Sequence, residues 1–344
     1  MPPPADDQEK ARRLVELLKN ARRIAVVTHD NPDPDALGAA FGIRAIAERQ
    51  AGKPAAIVYG GLIGRSENRA MVSRLGIEIT PAAEARWADF DAFVLVDTQP
   101  DVRNHSLPPG APVVAVLDHH PVFRRSQASI PLFDVRKDCG ATTTIVLAYL
   151  RALEIGIEGK LATALFYGLA TDTRNLNRMA HPIDAEAFLH LFPLIDLDAL
   201  QDITRPRVPR AYFSLYKGAI ERAVLRGDAI HTWLGTVSSP DTVSEIAEFL
   251  IRLEDCTWSV AGGAHGSHLF LSLRSGDPAQ DTGRLLKEVI GKDGSAGGHG
   301  AMAGARIALP SGNPADADEA WRRFCKRFFR ALGRSSESET PLIG

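Results

Sequence analysis

The sequence predicts an α/β protein: an N-terminal domain built on a mostly parallel sheet, then a smaller C-terminal α/β domain. Three observations carry this reading. Short apolar runs at Ile24–Val27, Ala55–Tyr59, Asp91–Val96 and Val113–Leu117 alternate with stretches of helical periodicity, the pattern of strands joined by crossover helices. The alternation breaks after Asp184 and resumes in a different order from Gly227. Between the two lies Arg205-Pro-Arg-Val-Pro209, with the composition of a linker. The expected division is 8–200 for the first domain, 201–226 for a linker and connecting helix, and 227–334 for the second. A cleft between two such domains is a common place for a small-molecule site.

Taken in order, Glu9–Asn20 carries Leu14, Leu17 and Leu18 at helical spacing behind acidic residues that suit a helix start. The first strand, Ile24–Val27, is followed by a helix over Ala36–Gln50 that Gly52 would close. After the second strand, Gly60–Gly64 reads as a turn rather than a phosphate loop, because no Gly-Lys-Ser/Thr follows. Ser66 could cap a helix reaching Leu75. The third and fourth strands end at Asp97 and at Asp118-His119-His120, and Ser129–Val135 is a further candidate strand. Helices are expected at Thr142–Leu153 and Lys160–Ala170, the latter running into Thr171-Asp172-Thr173. Helical segments continue through Leu200, and another helix spans Arg210–Val224. The second domain should hold strands at Ala229–Val237, Thr257–Ala261, His268–Arg274 and Ala305–Leu309. Its helices should cover Asp241–Arg252, Thr282–Ile290 and Ala315–Leu332, with a glycine-rich loop at Gly294–Gly304 and a hairpin turn at Gly262–Gly266.

Composition narrows the class. The 344 residues are 45% hydrophobic and 24% charged, ordinary for a globular protein. A net charge of -2 argues against gripping long duplex nucleic acid, which favours basic proteins. Cys139, Cys256 and Cys325 are scattered and form no thiolate metal pattern. With no long apolar run and no signal peptide, the expectation is a soluble cytoplasmic protein with no membrane partner.

The chemistry gathers at strand ends. His29, Asp33 and Asp35 lie on the loop after the first strand, stiffened by Pro32 and Pro34. Asp97 ends another strand, Asp118-His119-His120 a third, and Asp172 ends a helix. Parallel strands put their carboxyl ends on one edge, where ligands bind in open α/β sheets. Each residue alone has a plain structural reading: Asp33 and Asp35 as helix caps, Asp97 and Asp118 as turn residues, Asp172 as a helix-end residue. Together they make an oxygen-rich set with a few imidazoles, suited to Mn²⁺ or Mg²⁺ rather than to soft metals. Two such ions a few ångströms apart can activate water as hydroxide and clamp a leaving oxygen.

His29-x-x-x-Asp33-x-Asp35-Ala36, the Asp97 strand end, Asp118-His119-His120 and Thr171-Asp172-Thr173 resemble, in their joint order, the four motifs of the DHH phosphoesterases. Ala296-Gly297-Gly298-His299-Gly300 is similar to the glycine-histidine motif of the DHH-associated C-terminal domain. The two-domain layout resembles the NrnA-like branch. This resemblance implies an active site between the domains and two divalent ions, Mn²⁺ first, with Mg²⁺ or Co²⁺ as substitutes. His29, Asp33 and Asp97 would hold one ion; Asp35, Asp97, His119 and Asp172 the other. His120 would contact the scissile phosphate or act as an acid, with Asp118 orienting His119. Gly297, Gly298, His299 and Arg274 would bind the substrate's phosphate end. The implied activity is hydrolysis of short oligoribonucleotides, linear dinucleotides or 3'-phosphoadenosine 5'-phosphate, in a chain that could form a homodimer. The alternatives are an inorganic pyrophosphatase, a single-strand exonuclease, or a nucleotide sensor without catalysis. Ala296, Met302 and Arg174-Asn175 depart from the family pattern and bear on the substrate.

Overall fold

The computed structural model describes residues 5–102, 104–122, 129–277, 279–311 and 313–343, with the side chain of residue 299 outside this set. The chain forms two compact units, Met1–Pro206 and Arg207–Gly344. Among the described residues no helix is long and apolar enough to cross a membrane.

The first unit is organised on six parallel strands: β1 (Ile24–Val27), β2 (Ala55–Tyr59), β3 (Ile79–Pro81), β4 (Ala92–Val96), β5 (Val113–Asp118) and β6 (Leu132–Val135). Their spatial order is β3-β2-β1-β4-β5-β6, all pairs parallel. The chain therefore builds outward from β1 in one direction, then returns to its other side and builds outward from β4. That reversal opens a crevice at the carboxyl ends of β1 and β4.

Burial on both faces explains why the central strands β1 and β4 are apolar throughout. Ile24, Val26, Val94, Val96, Ala115 and Leu117 face the helical layer. Ala25, Val27, Phe93, Leu95 and Val116 pack on the opposite face against Trp87, Phe90 and Leu107 from connecting segments. The helical layer contains α1 (Ala5–Lys19), α2 (Pro34–Ile46), α3 (Ser66–Leu75), α4 (Thr142–Ala152), α5 (Lys160–Asp172), α6 (Pro182–Leu191) and α7 (Leu197–Thr204). α2 is continued by a wide turn over Ala47–Ala51, and Gly52 closes it in the left-handed conformation at φ 65°. Ser66 is not the cap of α3: Arg65 occupies that position, and the Ser66 hydroxyl donates to Glu67 instead.

α2 and α5 pack closely because small residues line their contact. A Cβ at Gly38 would lie 2.6 Å from the Ala164 carbonyl oxygen. One at Gly168 would lie 2.8 Å from Thr143 Cγ2 and 2.9 Å from the Pro34 carbonyl oxygen.

In the second unit, α8 (Arg210–Glu221) precedes β7 (Val224–Arg226) and β8 (Ala229–Thr236). Then come α9 (Asp241–Leu250), β9 (Trp258–His265), β10 (His268–Ser275), α10 (Thr282–Ile290), β11 (Gly294–His299), β12 (Met302–Ala308), α11 (Pro314–Ala331) and β13 (Thr340–Pro341). The sheet order is β11-β12-β10-β9-β8-β7-β13, and β8–β9 is its parallel pair. One face packs Leu269, Leu271 and Leu273 against Leu286, Trp321 and Phe328 of α10 and α11. The other packs Ile230 and Ala261 against Val243, Ile246 and Leu250 of α9.

Two expectations change here. Gly294–Gly304 is a hairpin rather than a loop: β11 pairs with β12 from Gly294↔Ile307 to His299↔Met302. A run dominated by glycine and alanine shows no apolar alternation, so its strand character comes from the partner. Gly262 and Gly263 likewise lie inside β9, and the turn is displaced to Gly266, at φ 56°.

Candidate metal centre

His29 follows the buried Thr28 at the end of β1. Its Nδ1 donates to the Asp30 carbonyl oxygen at 2.9 Å. That bond fixes the tautomer and leaves Nε2 as a lone pair for a ligand. Nε2 lies 3.4 Å from Asp97 Oδ2 and 3.8 Å from Asp33 Oδ1. Asp33 caps α2, with Oδ1 accepting from the Ala36 amide at 3.0 Å. The cap and ligand readings of Asp33 are therefore compatible, because one oxygen of a carboxylate accepts more than one contact.

Asp97 sits at the centre. It ends β4 with φ 56°, a left-handed conformation that aspartate tolerates better than most residues. It is 2% exposed. Oδ2 faces His29, while Oδ1 lies 3.6 Å from His119 Nε2 and 3.5 Å from His120 Nδ1. Oδ1 also accepts from Thr142 Oγ1 at 2.9 Å. The two oxygens thus look toward two different groups of donors, as a bridging carboxylate requires.

Asp35 is fully buried in the first turn of α2. It accepts from the Thr142 and Thr143 amides at 2.6 and 2.9 Å and from Thr143 Oγ1 at 2.6 Å. Asp172 is the last residue of α5, with Oδ2 3.0 Å from His119 Nε2. A carboxylate at a helix C-terminus meets the negative end of the dipole. Ligand atoms of the set fall into three overlapping groups, each within 4.8 Å: His29/Asp33/Asp97, Asp97/His119/His120 and Asp35/His119/Asp172.

The electrostatics show what such a cluster needs. Burial and the neighbouring Asp97 and Asp172 charges push Asp35 well above the carboxylate range. Asp172 is also raised, by burial against the opposing pull of His119 and with the charges of Asp33 and Asp97. Burial draws His119 down, but Asp172, Asp97 and Asp35 outweigh it and raise the imidazole to about 10. Asp97 is held below the usual range, its burial outweighed by the His29 contact and the charges of His120 and His119. Packed carboxylates of this kind call for positive charge. His119 Nε2 is buried and makes no hydrogen bond of good geometry among the described residues, although carboxylate oxygens surround it. An imidazole nitrogen aimed into a carboxylate cluster fits, once deprotonated, a divalent cation with mixed oxygen and nitrogen ligands.

Asp118 is corrected in its partner. It does not turn to His119: Oδ1 accepts from His120 Nδ1 at 2.9 Å and from the His120 amide at 3.1 Å. The reason is local, since a strand-end aspartate closes readily on the amide two residues ahead. Oδ2 accepts from Gln99 Nε2 at 2.6 Å. Gln99, Thr142, Thr143 and Asp184 are contacts that the sequence reading missed. The run Thr142-Thr143-Thr144 at a helix start was the available signal, because threonine is a poor helix former.

After Asp172, where Arg174-Asn175 departs from glycine, Arg174, Asn175, Leu176 and Met179 all have positive φ, between 48° and 66°. The Asn175 amide closes on the Ala170 carbonyl at 2.7 Å, and the Arg178 amide on Thr173 at 2.8 Å. The departure thus yields a tight turn built without glycine.

In the second unit, Arg274 is not an open fork. It is 7% exposed. Its guanidinium donates to Ser272 Oγ at 2.8 Å, the Leu273 carbonyl at 3.0 Å and Glu248 at 3.0 Å. Burial at an inner strand of the sheet is the physical reason. Gly297 and Gly298 lie on β11, and space is open around Gly297. The His299 side chain lies outside the described residues.

Residues 23–169 match the DHH family, N-terminal domain. The match lies within the first unit, Met1–Pro206. An uncharacterised protein of Methanocaldococcus jannaschii is 31% identical over 329 residues, covering 94% of this chain and 66% of that protein. The cyclic-di-AMP phosphodiesterase PdeA of Listeria monocytogenes is 28% identical over 195 residues, 52% of this chain and 29% of PdeA. A probable manganese-dependent inorganic pyrophosphatase of Lactobacillus acidophilus is 26% identical over 148 residues, 43% of this chain and 47% of that enzyme. The chain thus spans less than two thirds of the length of each of these relatives. Among solved structures, an exopolyphosphatase-related protein from Bacteroides fragilis shares the fold, with TM-score 0.72 at 13% identity, covering 94% of this chain and 98% of that one. The Asp118-His119-His120 triplet lies within the matched residues and begins at the end of the strand beside the one that leads to Asp97.

Proposed function

We propose that this chain is a metal-dependent phosphoesterase acting on small nucleotides: short oligoribonucleotides, linear dinucleotides and 3'-phosphoadenosine 5'-phosphate. The observation that carries the reading is the cluster of His29, Asp33, Asp35, Asp97, His119 and Asp172, with Asp97 offering one oxygen to each side. Two divalent cations, Mn²⁺ foremost, would balance the four carboxylates and, when bound, would supply Lewis-acid chemistry to water and phosphoryl oxygens. His29, Asp33 and Asp97 would hold one, and Asp35, Asp97, His119 and Asp172 the other. Asp118 accepts the Nδ1 proton of His120, so the other ring nitrogen is the one that meets a phosphate oxygen and carries a proton to it. Gly297, Gly298 and His299 would supply donors for a further phosphate group. The PdeA likeness, to a named phosphodiesterase of a cyclic dinucleotide, supports phosphodiester hydrolysis in the small-nucleotide class.

A pyrophosphatase is the second reading, favoured by the named pyrophosphatase relatives. A substrate panel with Mn²⁺ separates the two: dinucleotides, longer RNA, single-stranded DNA, 3'-phosphoadenosine 5'-phosphate, cyclic dinucleotides and pyrophosphate. Turnover of linear dinucleotides that is lost in Asp97→Ala is the expected result. Hydrolysis of pyrophosphate alone, or full dinucleotide activity in Asp97→Ala, would overturn the proposal.

A further inference from the structure

α4 begins without a cap of its own. Ala141 precedes it and offers no side-chain acceptor. The first two helical amides, of Thr142 and Thr143, donate instead to Asp35 Oδ2 and Oδ1. The cap is supplied from α2, by a residue of the metal-ligand set, and a carboxylate there also meets the positive end of the helix dipole.

Two hydroxyls extend this contact. Thr143 Oγ1 donates to Asp35 Oδ1 at 2.6 Å, and Thr142 Oγ1 to Asp97 Oδ1 at 2.9 Å. The third threonine takes no part: Thr144 Oγ1 donates to Asp184 Oδ1 at 2.7 Å. Asp184 is fully buried and pins the approach to α4, accepting from the Gly140 and His181 amides at 2.8 Å each. Gly140 has no room for a side chain, since a Cβ would lie 2.8 Å from the Met179 carbonyl oxygen. A rigid turn therefore delivers two hydroxyls to two carboxylates.

We propose that Thr142 and Thr143 are positioning residues for the cation pair, their hydroxyls fixing the rotation of Asp97 and Asp35. The proposal rests on the two-cation reading above. Each carboxylate oxygen has two lone pairs, and one that accepts a hydroxyl proton directs the remaining one elsewhere. With Thr142 on Oδ1, the Asp97 carboxyl group cannot spin, and Oδ2 stays toward His29 while Oδ1 stays toward His119. Thr143, together with the two amides, does the same for Asp35.

The test is calorimetric titration of the full chain, freed of metal, with Mn²⁺, alongside kcat and KM on a linear dinucleotide. Thr142→Val removes the hydroxyl at similar volume, and Thr142→Ser restores it. Loss of an outer partner of a metal ligand typically lowers affinity about 10- to 100-fold. Thr142→Val should fall in that range, with lowered kcat at limiting Mn²⁺, and Thr142→Ser should return to wild-type affinity. Thr144→Val, in the same turn but touching neither Asp35 nor Asp97, should lower the melting temperature and leave Mn²⁺ affinity unchanged. Wild-type affinity in Thr142→Val overturns the proposal, as does an equal loss in Thr142→Ser or Thr144→Val. A wild-type chain that binds no Mn²⁺ brings down the two-cation reading and this one together. A wild-type chain that binds Mn²⁺ no better than Thr142→Val brings down this one alone.

Discussion

Asp118 holds His120 twice through a single oxygen: Oδ1 accepts the His120 backbone amide at 3.1 Å and its Nδ1–H at 2.9 Å. Gln99 Nε2 secures the other oxygen at 2.6 Å. The ring is thereby set in one tautomer and one orientation, with the opposite nitrogen left for the role proposed above.

This clamp has a pH signature. Burial lowers the His120 pKa, but the Asp118 hydrogen bond and the Asp97 charge outweigh it and raise the imidazole from 6.5 to about 9. A folded pKa above the unfolded value stabilises the fold fully below about pH 6.5, and the contribution is lost as pH rises through about 9. In the metal-free protein, NMR titration of His120 should show a midpoint near the raised value, and Asp118→Asn should bring it down. An ordinary histidine midpoint, unmoved by Asp118→Asn, would refute the clamp.

The α2–α5 contact is a second point of control. A Cβ at Gly168 would meet Thr143 Cγ2 at 2.8 Å and Asp35 Cα at 3.0 Å. Gly168→Ala should cost about 1–3 kcal/mol through overpacking. Because the new methyl presses on Asp35 itself, Mn²⁺ affinity should fall as well. Urea denaturation and calorimetric titration read the two effects separately.

Away from the cluster, Asp134 on β6 collects Lys10 at 3.0 Å, Arg136 at 2.6 Å and the Tyr149 hydroxyl at 2.9 Å. Arg136 reaches Asp7 of α1 at 2.7 Å as well. Both aspartates are 3% exposed. Asp134→Ala leaves the half-buried Arg136 guanidinium short of a partner, a change that should cost up to about 3 kcal/mol. The metal-free protein should lose that stability in urea, whereas Mn²⁺ affinity measured well below the midpoint should hold.

In the second unit, Gly283 at the start of α10 lies against the Gly298 carbonyl, so that a Cβ there would collide with it. The neighbouring Thr282 amide and hydroxyl donate to the Gly300 carbonyl at 3.0 and 2.8 Å. Gly283→Ala should push the Gly297–Gly300 segment out of place. If that segment binds a substrate phosphate, KM for a dinucleotide rises with kcat little changed, the mark of lost uniform binding. An unchanged KM would remove the segment from the substrate site.

Much of this architecture is legible in the residues. β1 and β2 have the limits that their apolar runs suggest, because buried parallel strands need no polar alternation. The strand-end positions of His29, Asp97 and Asp118 follow from the apolar runs of β1, β4 and β5. β3 and β7 escape notice because three residues carry too little pattern. The choice of His120 over His119 as the partner of Asp118 depends on backbone direction after the strand, which adjacent histidines do not reveal. Arg274 reads as a surface fork until its strand is seen inside the sheet, between β9 and β12. Thr142, Thr143 and Asp184 belong to no short motif, and their role comes only from contacts with residues far away in the chain.

The Asp35–Thr142 bond spans 107 positions. On the ribosome, the helix turn that bears Asp35 is made long before the helix whose amides it caps. The nascent domain must therefore carry a bare carboxylate through the synthesis of the intervening strands. The donor cluster, with Asp172 arriving later still, is among the last features to mature, so translation pauses beyond α5 would govern when the chain first becomes competent to take up metal.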